Sequence, residues 1–428
     1  MNARLAANGP LAPLLNADFR LLLTGFAIGQ MLMPLQFITQ ILWVQHYAPK
    51  DIWLILVAFI ATSRGLGALI FGLYGGALAD RFDRRKLLIT IQVLQVLGTV
   101  VIAGLMYFSV GGITGFAVFF ALTFLTSGLQ SIDAPTRLAI VPDVLGHDLA
   151  PAGMSLNQVA GQVAMPVAMM ATGLIIDTFG FSGAYLFSAL GHVVAIVCIN
   201  LMAYRSFHTV ETGKKYGARQ VYGDIKFGLS YARNHPVLLW LIVLLVMMMS
   251  FGYPATASLG PTWVTTVVGV EIARLGYIVM YWGVGSFIAA VLLTRFASFE
   301  KRGWLVGLGA VLFSVSFVVF VYDPTEINAI IGNIGLGAGM TTTMVSSTIL
   351  IQHVAPNEVR GRIMSIFQLN MAFAQLMTMP VALLCQWFTL PVVLPVLSFI
   401  TLIVVLAILV AKPQLMRSTI QPGDPQKA

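Results

Sequence analysis

Charge is what this chain has least of. Only 9% of its 428 residues are Asp, Glu, Lys or Arg, where soluble domains run near a quarter. A water-soluble fold with 58% hydrophobic residues could not hide that much apolar surface, so a soluble globular domain is excluded. Cysteine is nearly absent too. Cys198 and Cys385 both fall in apolar runs, which leaves no disulfide framework and no thiolate metal site; core packing is the expected role. Catalytic signatures are missing as well: no His-Glu-x-x-His, no Gly-x-Ser-x-Gly, no phosphate loop and no His/Asp cluster at ligand spacing. The GLGAG run at Gly335 to Gly339 lies inside an apolar segment and cannot cradle a dinucleotide. An intramembrane enzyme is left without a reacting group, and no cofactor or metal is expected.

What the chain does have is length in its apolar runs. About twelve of them, spread between residues 19 and 411, are long enough to cross roughly 30 Å of hydrocarbon. The expected fold class is all-α, a membrane protein of about twelve transmembrane helices. The first run is too long, and lacks a small-residue cleavage site, to be a signal peptide.

The net charge of +8 reflects topology rather than a nucleic-acid partner. Threaded with both termini in the cytoplasm, the spans put every Lys and Arg on that side except Lys50, Arg274 and the intramembrane Arg64. That bias is the positive-inside pattern. Trp43, Trp53, Trp240, Trp263, Trp304 and Trp387 lie near span ends and are expected as interfacial anchors. Trp282 lies mid-span.

Residues 206–236 are the longest polar stretch and divide the spans six and six. The expected organisation is a bundle over 1–205, a cytoplasmic linker over 206–236, and a second bundle with a tail over 237–428. The DIKFGLSYARNHPVLL stretch from Asp224 reads either as an amphipathic helix on the membrane surface or as a solvated linker. At an offset of 210 residues the halves align without gaps: Val144 on Val354, Asp148 on Glu358, Met154 on Met364, Ser155 on Ser365, Gln158 on Gln368. Identities at the same point of each half favour a duplicated unit.

The densest charge cluster is GALADRFDRRK, residues 76–86, between the second and third spans. Gly76, Asp80, Arg81, Arg84 and Arg85 resemble the signature of the loop between helices 2 and 3 of the major facilitator superfamily. Asp83 stands where most of that family has a second Gly. The DRFDRR variant, the QHVAPNEVRGRIMSIFQ stretch at Gln352, FRLLLTG at Phe19 and YARNHPVLL at Tyr231 resemble the branch that includes siderophore exporters and macrolide efflux pumps.

The resemblance implies two six-helix bundles with a small-molecule site between them. It also implies that Asp80 meets the start of span 11, and that Arg81 and Arg84 reach an acid of span 4. Asp133 in SIDAPTR, which ends at Arg137, matches that place. The cluster then reads either as a gate or as a purely topological anchor. Above it, Gly65, Ala68, Gly72 and Gly76 share one helix face and admit a close neighbour.

Arg64 is the most expensive residue. At 1.5 Å per residue it lies roughly 18 Å and 24 Å from the two ends of its span, and such a burial costs roughly 3 kcal/mol on insertion scales. It reads either as a substrate or coupling residue or as an internal hydrogen-bonding strut. Other candidates for a central cavity are Gln36 and Gln40 on one face of span 1, Tyr277 and Tyr281 beside Trp282 on span 8, and Gln368 on span 11; each also reads as a helix–helix hydrogen bond. His192 is expected as a satisfied core histidine.

By resemblance, the expected function is a secondary active exporter of a siderophore-like or amphiphilic small molecule by alternating access. It would be a proton-coupled, monomeric protein of a bacterial inner membrane, with both termini cytoplasmic. A multidrug or macrolide efflux pump is the alternative, and a non-transporting, transporter-like receptor the second. Two departures weaken the pattern. The span 5 Gly-Pro-x-x-Gly-Gly element survives only as Pro166, and none of the 16 acids threads to mid-membrane, Asp133 being the deepest.

Overall fold

The computed structural model describes residues 11–109, 112–204, 218–296 and 299–418. Among these residues the secondary structure is helical, with no strand.

The first six crossings follow from caps and glycines. Helix α1, Ala17–Tyr47, starts where the Asn16 side chain accepts from the Phe19 N–H at 3.1 Å. Helix α2, Trp53–Arg81, is followed by α3, Arg84–Tyr107, whose N-cap is Asp83: its carboxylate accepts from the Lys86 N–H at 3.0 Å. A short acidic side chain is a strong cap, which accounts locally for an Asp in a loop that elsewhere favours Gly. The stretch Gly112–Leu201 is broken at Gly146 (φ 74°) and Gly180 (φ 69°). Those left-handed conformations suit glycine, and they divide the stretch into α4 (112–145), α5 (147–179) and α6 (181–201).

Helix α7, Ala218–Asn234, is amphipathic. Residues 206–217 of the expected linker lie outside the described residues. Then come α8, Pro236–Tyr253, which continues through a π-helical turn, Pro254–Ser258, into Gly260–Thr266; α9, Ile272–Arg295; α10, Arg302–Tyr322; and α11, Glu326–Val354. The last crossings are α12, Asn357–Leu376, with α13, Thr378–Phe388, and α14, Leu390–Ala411. Among the described residues, eleven helical stretches are long and apolar enough to cross a bilayer. One of them, Asp148–Leu201, has 54 residues, more than twice the ~20 a crossing needs; its break at Gly180 brings the count to twelve.

The chain forms two compact units: Met1–Tyr216 with Ile272–Tyr277, and Gly217–Glu271 with Ile278–Ala428. In the first, Phe19, Leu22, Leu88, Ile140 and Val141 form a closed core cluster. In the second, backbones touch where glycines leave room. A Cβ on Gly285 of α9 would collide with the Ile334 carbonyl of α11, and one on Gly337 of α11 with the Trp282 carbonyl of α9. The GLGAG run therefore has a packing function. Large side chains such as Leu97, Leu174, Ile331 and Ile403 face outward; such a surface is stable against lipid, not water.

Tryptophan placement differs from the sequence expectation. Trp304 and Trp387 are exposed, as anchors would be, but Trp43 and Trp263 are fully buried. Trp43 packs against Phe119 with ring centroids 5.0 Å apart. A position near the end of a span sets depth in the bilayer but not which way the ring faces. Here the large apolar rings fill the bundle interior.

Candidate functional site

The basic turn is tied to the end of α6 and to α4. Arg85 donates to the Asn200 carbonyl at 2.8 Å and the Tyr204 carbonyl at 3.3 Å, so a cation satisfies the C-terminal carbonyls of a helix. Asp18 accepts from the Ala203 and Tyr204 N–H groups at 2.8 and 2.7 Å. Arg84 reaches the Asp143 carboxylate and the Ala139 carbonyl, at 2.8 and 2.9 Å. The Tyr204 hydroxyl donates to the same Asp143 at 2.6 Å. Asp143→Ala removes both of those bonds, while Arg84 keeps the Ala139 carbonyl. The pair is partly exposed, so the expected loss is modest, about 1–2 kcal/mol, read as a small drop in melting temperature with membrane insertion unchanged.

Asp133 lies one layer deeper. Its Oδ2 is 2.5 Å from Arg137 Nε, one turn on along α4, and its Oδ1 accepts from Gln92 Nε2 of α3 at 2.8 Å. Arg137 is 3% exposed, and Gly25 of α1 makes room for it: a Cβ there would stand 2.9 Å from Nη1. The side chains of Gly76, Asp80 and Arg81 lie outside the described residues.

From Gln92 a chain of polar groups runs through the interior of the bundle. His192 Nδ1 of α6 lies 2.8 Å from Gln92 Oε1. His192 Nε2 lies 3.3 Å from Gln36 Nε2 of α1, which also lies 3.1 Å from Ser188 Oγ and 3.5 Å from Thr99 Oγ1, so two amide N–H groups are shared among three acceptors. One turn further along α1, Gln40 donates to Tyr185 and Thr123 at 2.8 and 3.2 Å. Arg64 of α2 is buried beside this group, its guanidinium 5.2 Å from the Phe37 ring centroid, a cation–π arrangement. The structure thus brings Gln36 into one polar chain with His192, Gln92, Asp133 and Arg137, while Gln40 and Arg64 stand in a separate buried cluster beside it. Gln36 and Gln40 spend their amides on neighbouring helices of their own bundle.

The remaining sequence candidates stand elsewhere. Tyr277 is exposed on α9, Tyr281 and Trp282 are half-buried, and the Gln368 side chain lies outside the described residues. In the second unit, α7, α8 and α12 form a half-open apolar pocket of about 240 Å³, lined by Leu229, Leu245, Phe367 and Asn370 among others. Buried Asn370 Oδ1 has no hydrogen-bond partner among the described residues.

Sequence reading passed over Gln92, Asp143, Tyr204 and Tyr185. For Gln92 a signal exists: Gln92, Gln95 and Thr99 fall at i, i+3 and i+7 of a largely apolar stretch of α3, and all three are buried.

Residues 9–379 match the profile of the Major Facilitator Superfamily. The chain is 24% identical over 304 residues to BacE of Bacillus subtilis (strain 168), named as a candidate bacilysin exporter, covering 70% of this chain and 72% of that one. Similar solved structures include a mutant of the nucleoside transporter NupG, with TM-score 0.74, 12% identity, and coverage of 92% of this chain and 99% of that one. A mutant of the peptide transporter POT in complex with sulfate gives TM-score 0.75, 14% identity, and coverage of 95% and 96%. At those identities the structural likeness speaks for the fold.

Proposed function

Because the chain belongs to the major facilitator superfamily, and is therefore a multi-pass membrane transporter rather than an enzyme, we propose that it exports an amphiphilic small molecule in exchange for protons. Both termini lie in the cytoplasm, the membrane is a bacterial inner membrane, and the working form is a monomer. One observation carries the coupling: a carboxylate held between Arg137 and Gln92 is a charge whose neutralisation would release a buried arginine. Where burial and specific charge partners coincide, function is a reasonable default for an intramembrane ionisable group.

Outward direction is supported by the likeness to a protein named as an exporter. A cargo with apolar surface is supported by the apolar pocket of the second unit. The buried cation Arg64 favours neutral or anionic cargo, such as a siderophore-like chelator, over cationic drugs.

The test is proton flux in proteoliposomes with an imposed pH gradient. A hydroxamate chelator, a catecholate chelator, a macrolide and a cationic dye are added in turn. Release of protons on adding a chelator or macrolide, lost in Asp133→Asn, is the expected result. Response to the dye alone would overturn the cargo assignment. Binding of any of the four without flux would favour a transporter-like receptor.

A further inference from the structure

The polar chain described above has a fixed direction. An amide oxygen only accepts and an amide nitrogen only donates. Gln92 gives its N–H to Asp133 and therefore presents its oxygen to His192 Nδ1, so the ring hydrogen sits on Nδ1. Gln36 then donates into His192 Nε2. In this arrangement the imidazole is neutral, with one bare nitrogen.

We infer that His192 Nε2 is a proton-binding site whose occupancy is tied to Asp133 through the Gln92 amide. The inference rests on the proton-coupled reading above and adds a second protonation site to it. On uptake one proton adds to Nε2, the Nδ1–H bond to Gln92 stays whole, and no other atom changes its protonation. The new N–H needs an acceptor, which a half-turn of the Gln36 amide supplies by bringing Oε1 to the ring. Its other neighbours can follow, because hydroxyls both donate and accept. Thr99 reverses to become a donor, and Ser188 turns from the Tyr185 carbonyl, to which it donates at 2.6 Å, towards Gln36.

A buried imidazolium also needs a counter-charge. The Asp133 carboxylate is one amide away, and the Gln92 dipole is aligned with its oxygen on the ring and its N–H₂ on the carboxylate, which passes the field along the chain. Arg137 draws on the same carboxylate through the other oxygen. Two cations thus compete for one anion. Proton uptake at His192 weakens the hold on Arg137, and withdrawal of Arg137 strengthens the hold on the proton; linkage makes the two effects equal.

The charged and titratable groups around the ring, among the described residues, are few. Helix α4 contributes Asp133 and Arg137, the charges that act on His192 directly. Helix α2 contributes Arg64, which acts on Tyr185 of α6, and Cys198 lies two turns along α6. From α1 and α3 the contacts are amides and a hydroxyl: Gln36, Gln92 and Thr99.

Nitrogen NMR of the full-length chain in lipid nanodiscs, with histidine rings labelled, reads the site without any substrate. There are six histidines, and the His192→Gln difference spectrum assigns the signal. Near pH 8 the wild type should show a protonated Nδ1 and a bare Nε2; as the pH is lowered Nε2 should take the protonated shift. Asp133→Asn and Gln92→Leu should each lose that change, Gln92→Leu serving if the first variant folds poorly. Arg137→Gln should bind the proton at a concentration about tenfold lower, in line with an ordinary coupling energy. An Nε2 that stays bare in the wild type, or titrates identically in Asp133→Asn and Gln92→Leu, overturns the inference. Intact titration with no chelator- or macrolide-driven proton flux would sink the transport reading alone.

Discussion

Gly337→Ala is expected to lower the melting temperature by on the order of 6–10 °C, although it adds a single methyl group to a helix interior. In open space that change is favourable, since alanine is worth about 0.5–1 kcal/mol over glycine in a helix. At Gly337 the added carbon meets the Trp282 carbonyl, and at Gly285, across the same contact, a methyl would meet the Ile334 carbonyl. Backbone cannot rotate away as a side-chain tip can. Overpacking of side chains costs about 1–3 kcal/mol, and separating α9 from α11 should cost at least the upper end. For a unit of about 200 residues, such as the second, each kcal/mol moves the melting point by roughly 2–4 °C. Gly104→Ala is the control: nothing stands within 4 Å of a Cβ there, so that variant should melt at or slightly above the wild type. Cys198 and Cys385 are free and buried, so a thiol-reactive fluorogenic dye reports unfolding directly. A Gly337→Ala protein that melts with the Gly104→Ala control would show that α9 and α11 do not pack backbone to backbone.

The fold was legible in the sequence because lipid imposes a one-dimensional rule. Every crossing must be helical and apolar for about 20 residues, and that can be counted without knowing any contact. Loop glycines such as Gly146 and Gly180 mark span ends for a similarly local reason. The partners in the polar interior were not legible, because they depend on how each helix is rotated. Arg84 and Asp143 are 59 positions apart, and Asp133 is an equally plausible partner for Arg84 until the helix faces are known. The family resemblance pointed Arg84 at Asp133; the structure puts Arg84 on Asp143 and Asp133 on Arg137 and Gln92. Periodicity could have found the buried face of α3, since Gln92, Gln95 and Thr99 share it, but no spacing rule could say that its first glutamine meets a histidine 100 residues later. His192, expected as a satisfied core histidine, does have partners on both ring nitrogens.

Asp133→Leu should be the most damaging single change in the first unit, and a second substitution should repair its stability without repairing its function. Removing the carboxylate leaves the Arg137 guanidinium at 3% exposure without its charge partner, and breaking a buried pair from one side costs about 3–5 kcal/mol. Arg137→Met alone should cost less, because Asp133 keeps the Gln92 amide. With both replaced, neither charge of the pair is left buried without the other, and a well-packed apolar pair is often as stable as the ion pair it succeeds. The double variant should therefore recover most of the lost melting temperature, giving a coupling energy of about 2 kcal/mol or more in the cycle. Proton flux separates a strut from a working charge. If Asp133 only holds α4 to α3, the stabilised double variant should move protons with cargo as the wild type does. If its charge is the one that protons neutralise, Asp133→Leu, Arg137→Met and the double variant should all fall to the flux of empty liposomes, however well the last of them folds.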